Sequence, residues 1–343
     1  MVYTQPRVPS SPPVIKPISD AGERPKWSVM IPAYNCSNFL PDALNSVLMQ
    51  NISEEEMEIE VIDDASTDAD VEEMVNRIGK GRIKYFRQPE NVGSLRNFET
   101  CINRSRGITI HILHGDDRIK NGFYKKMGDL LNEYPEAGAA FCRYDYIDET
   151  GIVKFTREQD MDKDGILNNW LLRIAESCSI QYVSIVIKRE IFEKLGAFYG
   201  LIYGEDWEMW VRMAQFYPFA YTPDVLAQYR EHTSSITGVK FLNGGIMKDT
   251  RQVFRMIEDY LPASERASVI DRARKKSAHY GIQIAEIVWY NTRSVKYLNA
   301  NVKQILIMCN TDKSVYKKVI KLYVKMAKHT IKNMLATLRL KKN

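Results

Sequence analysis

No apolar run in the 343 residues approaches the roughly 20 that a membrane-spanning helix requires, so any contact with a bilayer is expected to be peripheral. Cysteine is scarce. Cys36, Cys101, Cys142, Cys178 and Cys309 are odd in number, widely spaced and without a C-x-x-C pair. That pattern argues against a disulfide framework or a zinc site and for a reducing, cytoplasmic setting. Neither G-x-x-x-x-G-K nor G-x-G-x-x-G occurs, which removes the Gly-rich phosphate loops. The N-x-S triplets at Asn35, Asn51 and Asn103 have no secretory signal in front of them and carry no weight. Acids are missing from Lys313 onward, where ten Lys or Arg fall, so the net charge of +5 is unevenly spread.

What is present is ordinary for a water-exposed enzyme: 45% hydrophobic and 27% charged residues, in a chain long enough for a core domain and an appended piece. Residues 1–26 hold six of the thirteen prolines and are expected to form a disordered Pro-rich arm. From Trp27 short apolar runs alternate with amphipathic segments. Strands are expected at 27–34, 58–64, 82–86 and 108–114, with helices at 40–50, 70–78 and 94–105 between them. Such alternation implies right-handed crossovers and a mainly parallel sheet flanked by helices, an α/β fold. Further helices are expected at 121–135, 166–177 and 204–216, further strands at 137–147 and 152–155, and over 180–196 a strand running into a short helix that Gly196 closes. Residues 27–240 are read as the catalytic domain, and 241–343 as a helical extension ending in a basic amphipathic helix.

Four strands end in polar residues: IPAYN, VIDDASTD, the stretch before NVGSLRN, and HILHGDD. Acids at a strand end can simply cap the next helix. Four such ends at one sheet edge, where open α/β folds bind ligands, favour a site. Two adjacent carboxylates, Asp116 and Asp117, repel unless a cation or donor intervenes. Alternation sets His111 apart as structural and leaves His114 open.

The ordered set SVMIPAYN, VIDDASTD, ENVGSLRN, LHGDD, GEDWEMWVR and YREH, from about Trp27 to Ile236, resembles the family 2 glycosyltransferases of GT-A (Rossmann-like) fold. The resemblance implies that Pro32 and Tyr34 contact a nucleoside, Asp64 bonds the base imide and Arg96 lies near base or phosphates. It gives ribose hydroxyls to Asp116 and a metal, Mn²⁺ or Mg²⁺, to Asp117. Gly115 stands where the family's D-x-D motif has its first acid, leaving Asp117 as the sole expected carboxylate ligand. Glu205 and Asp206 match the family's acceptor-side acid pair, with Asp206 the general base and Glu205 its neighbour; a first helical turn also favours acids for its dipole alone. His232 matches a position that reaches the diphosphate or metal. Trp207 and Trp210 fit either a sugar-stacking wall or a core stripe.

The expected reaction is inverting transfer from a nucleotide-diphosphate sugar, UDP-linked, to a glycan or lipid-linked glycan acceptor for a surface or secreted polysaccharide. A catalytically inactive nucleotide-sugar-binding or membrane-associated scaffold is the alternative, and a sugar nucleotidyltransferase, lacking its Gly-rich loop, the weaker one. In the tail, Lys317, Lys318, Lys321, Lys325, Lys328 and Lys332 share one helical sector, and Val319, Leu322, Tyr323, Met326, Thr330 and Met334 another. That stripe fits an anionic membrane surface at the cytoplasmic face, or packing on protein within the chain or in an oligomer. Nucleic-acid binding is not expected, because the stripe lacks interleaved aromatics beyond Tyr316 and Tyr323.

Overall fold

The computed structural model describes residues 6–19, 22–233, 235–242, 244–309 and 312–340. The chain divides into two units, one of Met1–Ile174 with Cys178–His232 and one of Ala175–Ser177 with Thr233–Asn343. The change of unit falls at His232, eight residues before the expected boundary.

In the first unit the elements run β1 (Trp27–Ala33), α1 (Leu40–Leu48), β2 (Met57–Asp63), α2 (Val71–Gly79), β3 (Lys84–Arg87), α3 (Ser94–Arg104), β4 (Thr109–Ile112) and β5 (Arg118–Ile119). They continue as α4 (Phe123–Glu133), β6 (Ala139–Ile147), β7 (Val153–Thr156), β8 (Gly165–Ile166), α5 (Trp170–Glu176), β9 (Ile185–Lys188), α6 (Arg189–Leu195), α7 (Glu205–Ala214) and β10 (Phe219–Arg230). The sheet order is β3-β2-β1-β4-β9-β6-β10-β5. β3, β2, β1 and β4 are parallel, as expected, so their carboxyl ends meet at one edge. Beyond β4 the sheet is mixed: β9 runs antiparallel to both β4 and β6, while β10 is parallel to β6. Every residue of β1 is buried, which is why its sequence is an unbroken apolar run rather than an alternation. Local chemistry sets the helix ends. The Asp70 side chain accepts the Glu73 N–H to start α2, and Gly204, at φ +88°, turns the chain into α7.

The expected disordered arm is a correction. Among its described residues the backbone is extended and bonded along the domain. Gly200 N–H donates to Pro9 O, Ala197 N–H to Pro13 O, Arg189 Nη2 to Lys16 O and Ile108 N–H to Pro25 O, at 2.9 to 3.1 Å. Ile15 is 1% exposed. Prolines lack a donor but keep a strong acceptor in a fixed extended shape, so a Pro-rich strap can satisfy loop N–H groups without joining a sheet. Residues 1–5 of the arm lie outside the described residues.

The second unit is helical: α8 (Ile236–Phe241), α9 (Gly245–Ile257), α10 (Ala263–Thr292), α11 (Val295–Met308) and α12 (Lys313–Leu340). A Cβ on Gly281 of α10 would lie 2.6 Å from Met247 Sδ and 2.8 Å from Ile305, so glycine is what lets α9 and α11 approach α10 there. On α12, Val315, Val319, Leu322 and Met326 are buried. Much of the stripe offered to a membrane is therefore used for packing; the side chain of Met334 lies outside the described residues. No described helix is long and apolar enough to cross a membrane.

Candidate active site

Two acid pairs stand at or just beyond the ends of β2 and β4, the strands on either side of β1. Asp63, at the end of β2, is fully buried and accepts from Tyr85 Oη at 2.7 Å, Arg87 Nη1 at 2.5 Å and Ser66 N–H at 2.9 Å. Asp64 accepts from Val92 N–H at 2.7 Å, Gly93 N–H at 3.0 Å and Asn91 Nδ2 at 2.9 Å. Burial still raises its carboxyl above the ordinary value, against the pull of those donors. The β1 and β2 loops are laced together, Asn35 N–H donating to Ser66 Oγ and Thr67 N–H to Asn35 Oδ1. Pro32 is buried in β1, whereas Tyr34, 52% exposed, is open to a ligand. Arg96 is not: its Nε donates to Pro6 O at 2.9 Å and its Nη1 to Glu99 at 2.6 Å.

The second pair is far less satisfied. Asp117, 1% exposed, accepts only the Arg230 N–H, at 2.8 Å, among its described hydrogen bonds. Burial and the charge of Asp116 push its carboxyl well above the ordinary value. Burial also opposes charge on Asp116, but His232, whose Nε2 stands 2.9 Å from Oδ2, and His114 outweigh it and hold that carboxyl low. The ligand atoms of His114, Asp116 and Asp117 lie within 4.8 Å of one another. Burial lowers His114 from the ordinary imidazole value, and its Nε2 has no hydrogen-bond partner among the described residues. An orphaned imidazole nitrogen beside two crowded carboxylates is a donor set that fits a divalent cation. The metal-capable group is thus larger than the lone Asp117 expected from sequence. A Cβ on Gly115 would lie 2.7 Å from Cys36 Sγ, so the acid that D-x-D carries at that position would have to displace the Cys36 side chain. His111 is structural as expected, fully buried with Nδ1 2.9 Å from Tyr124 Oη and lowered by burial to about 3.

Glu205 and Asp206 open α7. Tyr182 Oη donates to Glu205 at 3.3 Å, and the Tyr182 ring lies 4.5 Å from that of His114, which places the acid pair of α7 one aromatic layer from the metal-capable group. Burial raises Asp206 to about 6, close to where a general base works best. Trp207 and Trp210 are buried, Trp207 Nε1 donating to Ile174 O, so both belong to the core rather than to a sugar-binding wall.

One residue was missed. Arg230, buried at the end of β10, donates its N–H to Asp117 and its Nε to Asp116 O at 2.8 Å, and it binds Asp42 at 2.7 Å through Nη2. Its place in YREH, two residues before His232, was the available signal.

A parallel strand edge thus carries a metal-capable carboxylate pair and, across one tyrosine, an acid raised to about 6. The sequence model described as "Glycosyl transferase family 2" matches residues 28–196, just under half of the chain, and that stretch belongs to the family, with a GT-A fold. An uncharacterized glycosyltransferase of Rickettsia felis is 26% identical over 212 residues, 61% of this chain and 35% of that protein. MG060 of Mycoplasma genitalium, also an uncharacterized glycosyltransferase, is 30% identical over 126 residues, 36% of this chain and 40% of that protein. The chain thus spans a third to under a half of the length of these curated relatives. Among solved structures, Staphylococcus aureus TarS 1–349 in complex with UDP-GlcNAc matches with TM-score 0.63 at 15% identity, over 90% of this chain and 92% of that one. The mannosyltransferase PcManGT of Pyrobaculum calidifontis, in complex with GDP-Man and Mn²⁺, matches with TM-score 0.53 at 19% identity, over 87% and 92%.

Proposed function

We propose that the chain is an inverting glycosyltransferase that moves a sugar from a nucleotide-diphosphate donor, a UDP-sugar, to a hydroxyl of a glycan or lipid-linked glycan. The observation that carries this reading is the contrast between Asp63, saturated by protein donors, and the open Asp116–Asp117 group, with Asp206 nearby. The relatives' names and the donors in the TarS and PcManGT complexes support the class of donor.

In this reading Tyr34, Pro32 and Asp64 hold the nucleoside and Asp116 the ribose. Mn²⁺ or Mg²⁺, held by Asp117 with His114 or His232, would neutralise charge developing on the diphosphate. Asp206 takes the proton of the acceptor hydroxyl, whose oxygen forms the new bond to the anomeric carbon. The bond from that carbon to the phosphate oxygen breaks on the opposite face, its electron pair leaving with the diphosphate. Glu205, held by Tyr182, orients the acceptor beside Asp206. One base and one displacement give inversion. The test is sugar-nucleotide turnover with Mn²⁺ in wild type, Asp117→Ala and Asp206→Asn. Loss in both variants is expected, and full activity in both removes the site. A protein that binds UDP and Mn²⁺ but turns nothing over would instead be the scaffold.

The acceptor class draws support from α12. Taking about 100° per residue, Tyr316, Ile320, Tyr323, Val324 and Ile331 form a sector outside the buried stripe, bordered by the six lysines. All five are exposed, Ile320 by 61%. An apolar sector with a cationic border suits the surface of an anionic bilayer. Flotation with anionic and neutral vesicles tests this: binding to the anionic ones that Ile320→Glu abolishes is expected, and equal partition to both contradicts it.

A further inference from the structure

The sequence offers Arg96 as the cation at the nucleoside end, and the structure spends it elsewhere. Its side chain is 16% exposed, and its Nε and Nη1 are taken by Pro6 O and Glu99. The segment that occupies Arg96 brings an arginine of its own. Arg7 is exposed and donates to Asn91 Oδ1. Its guanidinium lies over Gly93, where an added Cβ would be 3.0 Å from Nε and 3.4 Å from Nη2. Asn91, Val92 and Gly93 are the residues that hold the Asp64 carboxylate, and Arg7 is near enough to draw that carboxyl down. Arg7 and Asp64 therefore share one loop, with the cation on its outer side.

Arg7 does not hold itself there. The strap is fixed by bonds to Pro9 O, Pro13 O and Lys16 O, by the buried Ile15, and by Arg24, whose Nε and Nη2 donate to Arg106 O and Gly107 O at 2.7 and 2.9 Å. Gly196, at φ +76°, would drive a Cβ to 2.7 Å from Pro12, so the strap and the end of α6 fit only with glycine there. An exposed charged side chain held in place by a rigid backbone loses little entropy when a ligand arrives.

We propose that Arg7 is a donor-binding residue, hydrogen-bonding a base carbonyl of the nucleoside diphosphate in the role the sequence offers to Arg96. This rests on the nucleotide-sugar reading of the crevice. By lone-pair count, Asp64 Oδ1 accepts one N–H and has capacity for a second. An acceptor from Asp64 beside a donor from Arg7 matches a base edge that sets a ring N–H next to a carbonyl. Uracil and guanine have that edge. Cytosine and adenine present a bare ring nitrogen and an amino group there, so acceptor meets acceptor and donor meets donor.

The experiment is calorimetric titration of the full chain with UDP, GDP, CDP and ADP, each with Mn²⁺, in wild type, Arg7→Ala, Arg7→Lys and Arg96→Ala, with thermal melting of each. Wild type is expected to bind UDP or GDP and not CDP or ADP. Arg7→Ala is expected to weaken that binding about tenfold with the melting temperature unchanged, as befits a lost bond to a charged donor. Arg7→Lys, which keeps the charge without the planar fork, should recover part of the loss. Arg96→Ala should lower the melting temperature, because it releases Pro6. An unchanged or tighter affinity in Arg7→Ala overturns the proposal while the crevice reading stands; tighter binding would make the strap an obstacle to the donor. A wild type that binds none of the four removes both.

Discussion

Asp63–Asp64 and Asp116–Asp117 look alike in sequence, each an acid pair closing an apolar strand, and they come to opposite ends. The first pair is met by six protein donors: a phenol, a guanidinium, an amide side chain and three backbone N–H groups. The second has one backbone N–H on Asp117 and one histidine on Asp116, next to an imidazole nitrogen with no partner. Asp63, which the protein satisfies, is part of the scaffold, and Asp64 keeps one lone pair free on Oδ1. A buried carboxylate that the protein leaves wanting is waiting for something else. Counting donors, rather than acids, separates the two.

The largest effect in the comparison is expected at Asp63. Asp63→Ala strands Arg87, Tyr85 and the Ser66 N–H at once, and should cost about 3 kcal/mol, read as a lower urea midpoint. At Asp117 the same chemistry should run the other way. Asp117→Asn keeps an oxygen for Arg230 N–H and removes a like charge from Asp116. Turnover should fall about 100-fold or more while the urea midpoint of the metal-free protein holds or rises. A fall as large as that of Asp63→Ala would place Asp117 in the scaffold with Asp63.

A smaller effect separates Asp206 by pH. Its folded value near 6 lies above the ordinary 3.8, so between those limits the folded chain holds a proton that the unfolded chain has lost. Its contribution to stability is therefore present in acid and fades as pH rises through about 6. Activity moves oppositely, since the base must be ionised, and kcat/KM should climb with an apparent pKa near 6. Asp206→Asn should flatten the stability difference across that window and abolish turnover. A kcat/KM that stays level from pH 5 to 7 would deny Asp206 the role.

Much of this was legible in the sequence. β1, β2 and β4 follow from their apolar runs because they are buried on both faces, and α2 from its Asp70 cap. The acid pairs fall at strand ends for the same reason. β10 was not legible: Pro223 and Asp224 interrupt it, and the register shifts between Thr222 and Ala227 absorb them as a bulge. Arg230, at its end, was missed with it. The strap was misread because composition reports the lack of side-chain packing and not the carbonyls that proline keeps. The saturation of Asp63 depends on Tyr85 and Arg87 from a neighbouring strand, which no local pattern displays.

The central claim, that the second acid pair is the working one, is tested most directly by calorimetric titration of Mn²⁺ with UDP, and with GDP in parallel, into wild type and Asp117→Asn. If Asp117 holds the cation, wild type binds the metal with the nucleotide and releases a proton, because the raised Asp117 carboxyl must ionise to ligate. Asp117→Asn then loses the metal-dependent part of the affinity. Equal metal-dependent binding in the two proteins, with no proton released, would contradict the account.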